Sequence, residues 1–530
     1  MQTIPEQLPD LEVLGSGATA LRQEEHAWVW VLDWILPLLT VAVLLTTCIL
    51  GSAKKEIWID EAYTLQVITD HSLPHMMHAL ANAVDGGMPL YYLVAHGWGV
   101  VFGTSLLALR LLSSLFVCAG VLLLWHTLRR AYTAWAVSLA VAATSVTSAL
   151  LLHQNVEARY YGLYFACAAL VFALHVRLAS TPIPFHRLVL AAMLANAALI
   201  VSHPLGVLYS GAAIAGLTLT DYRSGRLRWS LYASLAASWL LLLAWIGPIL
   251  KVHDLAVPRN WTPIPTMTDV LSSFAFASPC LAFGLFMGTG LLALAPKARN
   301  ESEVSCNSAP LLYHAFAFLL LPIPVALVSW GNSSLFVVRY FLPSLIGATA
   351  MIAYLLDAQL RSVRLNVSLR SAWCVLLAVI LAWPLVSMER TRENNFELID
   401  RNMPLDLPVM VVDGNVFLPL TYLTHKPERP YYYPLDWDAA LHSRPGATVD
   451  YKLLRNAKAA GYSSDRIIDT RQALCLFDRF LVLDDPKLAW FRERIFNNPD
   501  YQVEHLGDFT VERQLWLVKR LPNSTQCSEQ

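Results

Sequence analysis

Charge is scarce in this chain of 530 residues. Asp, Glu, Lys and Arg make up 15% of it, where a soluble domain carries about a quarter, and that shortage excludes a disordered or fibrous protein. Neither sign dominates: 38 Lys and Arg face 39 Asp and Glu, for a net charge of −1. With no basic stripe interleaved with aromatics, nucleic-acid binding is set aside. Cysteine is sparse too, eight in all, with no C-x-x-C pair, and Cys48, Cys118, Cys167, Cys280 and Cys374 fall inside apolar runs. Neither a disulfide framework nor a zinc site is indicated. No G-x-G-x-x-G fingerprint offers a nucleotide site, and there is no internal repeat or low-complexity segment.

What is abundant is apolar sequence, 56% of residues, gathered in runs of about 17–25, the length of a membrane-spanning helix. The expected fold is a polytopic α-helical membrane protein with about eleven transmembrane helices and a C-terminal soluble α/β domain. The run from Ala27 to Leu50 is too long and too weakly basic at its front for a cleaved signal peptide, and Trp28, Trp30 and Trp34 read as an interfacial belt. Further spans are expected at 106–127, 134–152, 160–178, 187–203, 205–220, 229–249, 269–294, 310–330, 335–357 and 371–387. After Met388, polar residues become frequent and strand-like runs at 409–412, 480–483 and 514–518 alternate with helical stretches such as 487–496. The chain divides into 1–26, a cytoplasmic N-terminus, 27–387, a transmembrane domain whose first outer loop is 51–105, and 388–530, an extracytoplasmic α/β domain.

Orientation hangs on one segment, Met88 to Thr104, which is apolar and about as long as the shortest spans. If it lies on the membrane, Arg129, Arg130, Arg177, Arg187, Arg223, Arg226, Arg228, Lys297, Arg299, Arg361, Arg364 and Arg370 all fall on the side of the N-terminus. If it crosses, that bias reverses and the positive-inside rule fails in almost every loop. It is therefore read as a juxtamembrane helix, in a multi-pass protein of the plasma (inner) membrane.

Two acidic positions stand at the outer surface. Asp60 and Glu61 lie among apolar residues just beyond the first span, where partial desolvation and a neighbouring negative charge raise proton affinity and suit a general base. The alternative is that Asp60 caps the following helix, with Glu61 in its first turn. Glu157 stands between two spans, either in an ion pair with Arg159 or in a functional site. Arg110 and Arg339 open spans near the outer face, where a guanidinium can bind a phosphate or carboxylate in bidentate fashion or snorkel onto structural partners. His71, His75 and His78 share a helical face, but Pro74 interrupts it, which weighs against a metal site. His203-Pro204 reads as a helix break. Asn260, Asn332 and Asn523 open N-glycosylation triplets, a pattern common by chance.

The segments Asp60-Glu61-Ala62-Tyr63, Pro89-Leu90-Tyr91-Tyr92-Leu93, Ala108-Leu109-Arg110-Leu111-Leu112-Ser113, Glu157-Ala158-Arg159-Tyr160-Tyr161 and Arg339-Tyr340-Phe341-Leu342-Pro343 occur in an informative order behind a long first outer loop. In that order they resemble the lipid-dependent integral-membrane glycosyltransferases of the GT-C fold, especially bacterial relatives of protein O-mannosyltransferases and of the lipid A aminoarabinose transferase. The likeness covers roughly the first 390 residues. It implies a catalytic or acceptor-positioning role for Asp60, with Glu61 and Glu157 in the same site and Arg110, Arg159, Tyr160, Arg339 and Tyr340 binding substrate. The implied donor is a hexose or pentose on a polyprenyl phosphate, transferred with inversion to a lipid, glycan or protein acceptor. A divalent metal held by Asp60, Glu61 and Glu157 is left open. The family's usual His-Pro-Pro-Leu reads Gly87-Met88-Pro89-Leu90 here, so any role of that histidine is absent. The alternatives are a polysaccharide polymerase or ligase using a diphosphate-linked glycan, a transporter, which would place its charges nearer mid-span, and a non-catalytic assembly protein.

Overall fold

Runs rich in Leu, Ala and Val form helices because a helix satisfies every backbone N–H and C=O within itself, as an apolar surrounding demands. The computed structural model describes residues 31–522, apart from 277–308, 332–333, 361–366, 388–395, 424–428, 444–445, 486–489 and 511–512. The N-terminal half consists of α1 (Leu36–Lys54), α2 (Ile59–Ile68), α3 (Leu73–Ala81), α4 (Pro89–Phe102), α5 (Leu106–Arg129), α6 (Ala134–Thr147), α7 (Ala149–Asn155), α8 (Tyr161–Ala179), α9 (His186–Ser202) and α10 (Gly206–Arg223). There follow α11 (Trp229–Ala236), α12 (Leu240–Ala244), α13 (Ile246–Leu255), α14 (Met267–Ser272), α15 (Ala309–Leu319), α16 (Pro322–Gly331), a 3-10 turn at Val338–Phe341, α17 (Ser344–Leu360) and α18 (Val367–Ser387).

Among the described residues, Leu32–Lys54, Leu106–Arg129, Tyr161–Ala179 and Ala309–Gly331 are long and apolar enough to cross a membrane. Two bent pairs, Ala134–Thr147 with Ala149–Asn155 at 64° and Trp229–Ala244 with Ile246–Leu255 at 60°, raise the total to six. The expected eleven are therefore not matched. His186–Ser202, Ser344–Ala358 and Ser371–Val386 are apolar helices of shorter length, and most of 269–294 lies outside the described residues. Hydropathy registers an apolar run whether or not the helix within it is broken, which is why the two pairs read as single spans. The segment Pro89–Phe102 is a helix of 14 residues, about 21 Å long, short of the ~30 Å of a hydrocarbon core.

Small residues set how closely these helices pack. Every residue of α6 is buried, and its Ala, Ser and Thr side chains let α17 and α18 pack against it. Gly162, at the start of α8, lies so near α5 that a Cβ there would stand 2.3 Å from the carbonyl oxygen of Ser113. That approach fixes the 155–161 segment. Ser113 Oγ donates to Arg159 O (3.0 Å) and Ser114 Oγ to Asn155 Oδ1 (2.8 Å), while Asn155 Nδ2 donates to Leu44 O (2.8 Å), tying α1, α5 and this segment together.

The C-terminal part is α/β, as its alternating pattern predicts. Its helices are α19 (Phe396–Arg401), α20 (Gly414–Leu423), α21 (Trp437–His442), α22 (Ala447–Ala459), α23 (Thr470–Leu476) and α24 (Trp490–Phe496). Its strands are β1 (Val409–Val411), β2 (Tyr431–Leu435), β3 (Ile467–Asp469), β4 (Arg479–Asp484), β5 (Tyr501–Thr510) and β6 (Arg513–Arg520), in the sheet order β3-β2-β1-β4-β6-β5. The first four run parallel, and β6 and β5 close the sheet antiparallel. The central strands β1 and β4 are Val- and Leu-rich and buried, as parallel strands covered on both faces must be. One expectation about cysteine is corrected: Cys475, in α23, is disulfide-bonded. Helix α20 packs on α2, and Phe396 N–H donates to Glu56 Oε2, so this part sits directly on the segment between α1 and α5.

Candidate active site

Helix α2 begins at Trp58, its N-cap, and its first turn presents Asp60 and Glu61 to opposite surroundings. Glu61 is fully buried. Arg110 Nε donates to its Oε1 (2.8 Å) and Nη2 to its Oε2 (2.7 Å), and Ala158 N–H donates to Oε1 (2.7 Å). Arg110 is equally buried, and its remaining N–H groups go to the carbonyl oxygens of Lys55 (2.7 Å) and Glu56 (3.0 Å). Both expected site residues are therefore sealed into a pair that pins α2 to α5, with no face left for a substrate. The capping alternative for Asp60 is also overturned, since the N-cap falls two residues earlier.

Asp60 retains a quarter of its side-chain surface. Its Oδ2 accepts from Arg339 Nη2 at 3.2 Å, and its backbone carbonyl accepts from Arg159 Nη1 at 2.9 Å. Burial raises the Asp60 proton affinity against the pull of Arg159 and Arg339, and the negative charges of Asp85 and Glu157 add to the rise. Arg339, in the 3-10 turn, lies among the rings of Trp58, Trp261 and Tyr161, at 5.5, 5.6 and 5.8 Å. Three buried N–H donors in this neighbourhood, Arg339 Nε, Arg159 Nε and Trp58 Nε1, find no acceptor among the described residues.

Glu157 is brought close but is not paired with Arg159, as one reading expected. Its Oε1 takes Lys55 Nζ (2.9 Å) and His153 Nε2 (2.7 Å). Burial would raise its pKa, but these two partners override that and hold it at about 2. Arg159 turns the other way, because the 157–159 bend closes on an Arg159 N–H to Glu157 O bond of 2.8 Å. Its guanidinium meets Asp85 Oδ2 (2.9 Å) and the Thr64 hydroxyl.

Asp85 is the residue the sequence reading missed. It also accepts from Thr64 Oγ1 (2.8 Å) and from the Tyr92 hydroxyl (2.6 Å). The Tyr92 ring occupies the space over Gly87, where a Cβ would lie 2.3 Å from its oxygen. The departure at Gly87 and the Tyr92–Asp85 bond thus belong together. An acid directly before two glycines is the signal that points to it.

Tyr160 and Tyr340 complete the wall through His203, whose ring lies 5.4 Å from Tyr160 and 4.9 Å from Tyr340. Leu205 N–H donates to His203 Nδ1 (3.1 Å), so this histidine does more than break a helix. Beside Arg339 opens a cavity of about 390 Å³, lined by Leu150, His153, Gln154, Trp261, Thr262, Pro263, Pro265, Asp269, Phe336, Val337 and Val338. It is mostly apolar, with one cation at its edge.

Asp60, Glu61 and Glu157 do not form a metal cage. Each faces its own cation, and no group of three or more His, Cys, Asp or Glu able to hold a metal occurs among the described residues. His75 and His78 of the first loop also diverge, His75 being held by Asp70 and Ala460 O and His78 lying against Asn82. Asn260 is engaged with Ser334 O (2.9 Å), and Asn332 and Asn523 lie outside the described residues.

The fold is that of the GT-C membrane proteins. The structure of ArnT from Cupriavidus metallidurans bound to undecaprenyl phosphate superposes with a TM-score of 0.52 at 13% identity, over 91% of this chain and 97% of that one. The same protein in the apo state gives 0.52 at 13% identity, over 93% and 98%. The archaeal oligosaccharyltransferase AglB from Archaeoglobus fulgidus, in complex with an inhibitory peptide and a dolichol-phosphate, is more distant, with a TM-score of 0.41 at 10% identity over 84% of this chain and 69% of that one. No protein-family model and no curated protein matches the chain.

Proposed function

We propose that the chain is a membrane glycosyltransferase that moves a sugar from a polyprenyl-phosphate donor to a hydroxyl or amine acceptor at the outer face of the membrane. The observation that carries this reading is the 3.2 Å contact of Asp60 with Arg339 at the mouth of a mostly apolar cavity. A proton acceptor and a phosphate-binding cation thereby stand side by side. ArnT, which shares the fold, was crystallised with undecaprenyl phosphate, and the cavity beside Arg339 supplies the apolar wall and the charge that such a lipid requires.

In the proposed reaction Asp60 takes the proton of the acceptor. The acceptor oxygen or nitrogen bonds to the anomeric carbon as the bond from that carbon to the phosphate oxygen breaks, and polyprenyl phosphate leaves with the electron pair. Inversion follows from displacement in one step. Arg339, Arg159 and Trp58 offer unused N–H donors to the charge that develops on the phosphate. A phosphate on Arg339 also competes with Asp60 for that cation, so donor binding releases the carboxylate for its role as base. Glu157, held ionised, positions Lys55 and His153. The disulfide at Cys475 supports an oxidising, extracytoplasmic setting for residues 388–530.

The test is transfer in proteoliposomes. Label should pass from a polyprenyl-phosphate sugar to an acceptor extract of the cell envelope and not from a nucleotide sugar. Transfer from the nucleotide sugar without lipid would remove this reading. Single cysteines near Asp60, Glu157 and Asp436 should react with an impermeant reagent in spheroplasts, while one near Arg226 should not.

A further inference from the structure

A second cavity, of about 590 Å³, lies between the first-loop segment and the C-terminal part. It has the size of ordinary small-ligand sites. Three elements build it: α3 with its following turn gives His78 and Asn82, α13 gives Lys251 and Asp254, and α22 of the C-terminal part gives Lys452 and Arg455. One of its three cations is neutralised, since Lys452 Nζ meets Asp254 Oδ2 at 2.9 Å. Lys251 bonds only a neutral partner, Asn82 Oδ1 at 2.8 Å, and Arg455 lies over the Tyr451 ring at 5.9 Å; neither has an acidic partner among the described residues. The cavity therefore carries an excess of two positive charges in a chain whose net charge is −1.

The floor of this cavity is mechanically joined to the active site. Asn456 Nδ2, in the same wall, donates to Ala83 O (3.2 Å), and Ala83 holds a positive φ of 54°. Two residues on, Asp85 clamps Arg159, which in turn donates to the backbone carbonyl of Asp60. Resting on the transferase reading, we infer that this cavity binds an anionic sugar unit of the acceptor, carboxylated or phosphorylated, with Lys251 and Arg455 as its oxyanion contacts. Docking there brings the acceptor against the 82–86 segment and so toward Asp60.

The test is saturation-transfer NMR and equilibrium binding on the full chain in nanodiscs with three probes: glucuronic acid, glucose 6-phosphate and glucose. One or both acidic sugars should bind, glucose should not, and the pair that binds tells a carboxylated from a phosphorylated unit. The double variant Lys251→Gln/Arg455→Gln should weaken acidic-sugar binding by about tenfold or more, as expected for losing two charge-assisted contacts. Arg339→Ala should leave it unchanged. Binding of glucose equal to that of the acids, no binding of either acid, or an unchanged affinity in the double variant would overturn the assignment. Failure of polyprenyl phosphate to bind at Arg339 while acidic sugars still bind here would remove the donor reading and leave this site standing.

Discussion

Asp60 and Glu61 are consecutive residues in one turn of one helix, each paired with an arginine, and the two pairs are opposite in kind. Glu61 and Arg110 are wholly buried, with both carboxylate oxygens and the guanidinium saturated by near-ideal hydrogen bonds. Asp60 and Arg339 each keep about a quarter of their side-chain surface, share one contact of 3.2 Å, and leave donors unused. The difference is one of saturation, and under the proposed function saturation is what separates a structural ion pair from a reactive one. A saturated pair resists any newcomer, whereas an unsaturated one has capacity for a phosphate and a proton.

The sharpest way to break the comparison is Asp60→Asn. The amide keeps the shape but accepts no proton at neutral pH, so turnover should fall by about 10²–10⁴-fold, the usual range for a general base, with the melting temperature unchanged. Retained turnover would remove Asp60 as base. Because its folded proton affinity is raised, the acid limb of kcat/KM in the wild type should lie above the ordinary carboxylate range and vanish in the variant.

Arg110→Ala should show the converse. It strands Glu61 as an unpaired buried charge, at a cost of about 3–5 kcal/mol, read as loss of folded protein during purification or a large drop in melting temperature. A stable, inactive Arg110→Ala would place Arg110 in the site after all.

Arg339→Ala should weaken donor use by about 10–100-fold, the loss of one or two charge-assisted bonds, with little effect on acceptor KM or on stability. Arg339→Lys should recover only part, because a point charge lacks the guanidinium fork. Equal effects on donor and acceptor would dissolve the distinction between the phosphate side and the acceptor side of Asp60.

The strands at 409, 480 and 514 were legible in the sequence because short apolar runs alternate there with helical stretches, and Asp60 and Arg339 stood out locally as an acid among apolar residues and a cation where topology needs none. The pairings were not. Asp60 meets Arg339 across 279 residues, and nothing in the local sequence tells that Glu61 and Arg110 are fully buried against each other while Asp60 is not. Arg159 lies two residues from Glu157, yet the intervening bend sends its side chain to Asp85, a partner 74 residues away. The bends were not legible either, since the breaks at Ser148 and Trp245 lie inside runs that hydropathy treats as continuous.

A third carboxylate sharpens the comparison with the smallest effect. Asp484, at the end of β4, is buried like Glu61 but unsaturated like Asp60: neither oxygen has a hydrogen-bond partner among the described residues, and Arg492 Nη1 comes only to 3.6 Å. Burial raises its pKa to about 7 against the pull of Arg492. A carboxyl that binds its proton more tightly folded than unfolded favours the fold at low pH, and that advantage is lost as pH rises from about 4 through 7. Asp484→Asn removes the buried charge at high pH and changes little at low pH. Melting of the full chain in detergent should therefore show the variant more stable than wild type at pH 8, by about 3–4 kcal/mol, and close to it near pH 4, where the buried amide replaces an equally unsatisfied neutral carboxyl. A variant less stable at pH 8 would mean that the Arg492 pair, despite its distance, behaves as the sealed Glu61–Arg110 pair does, and that saturation is the wrong criterion.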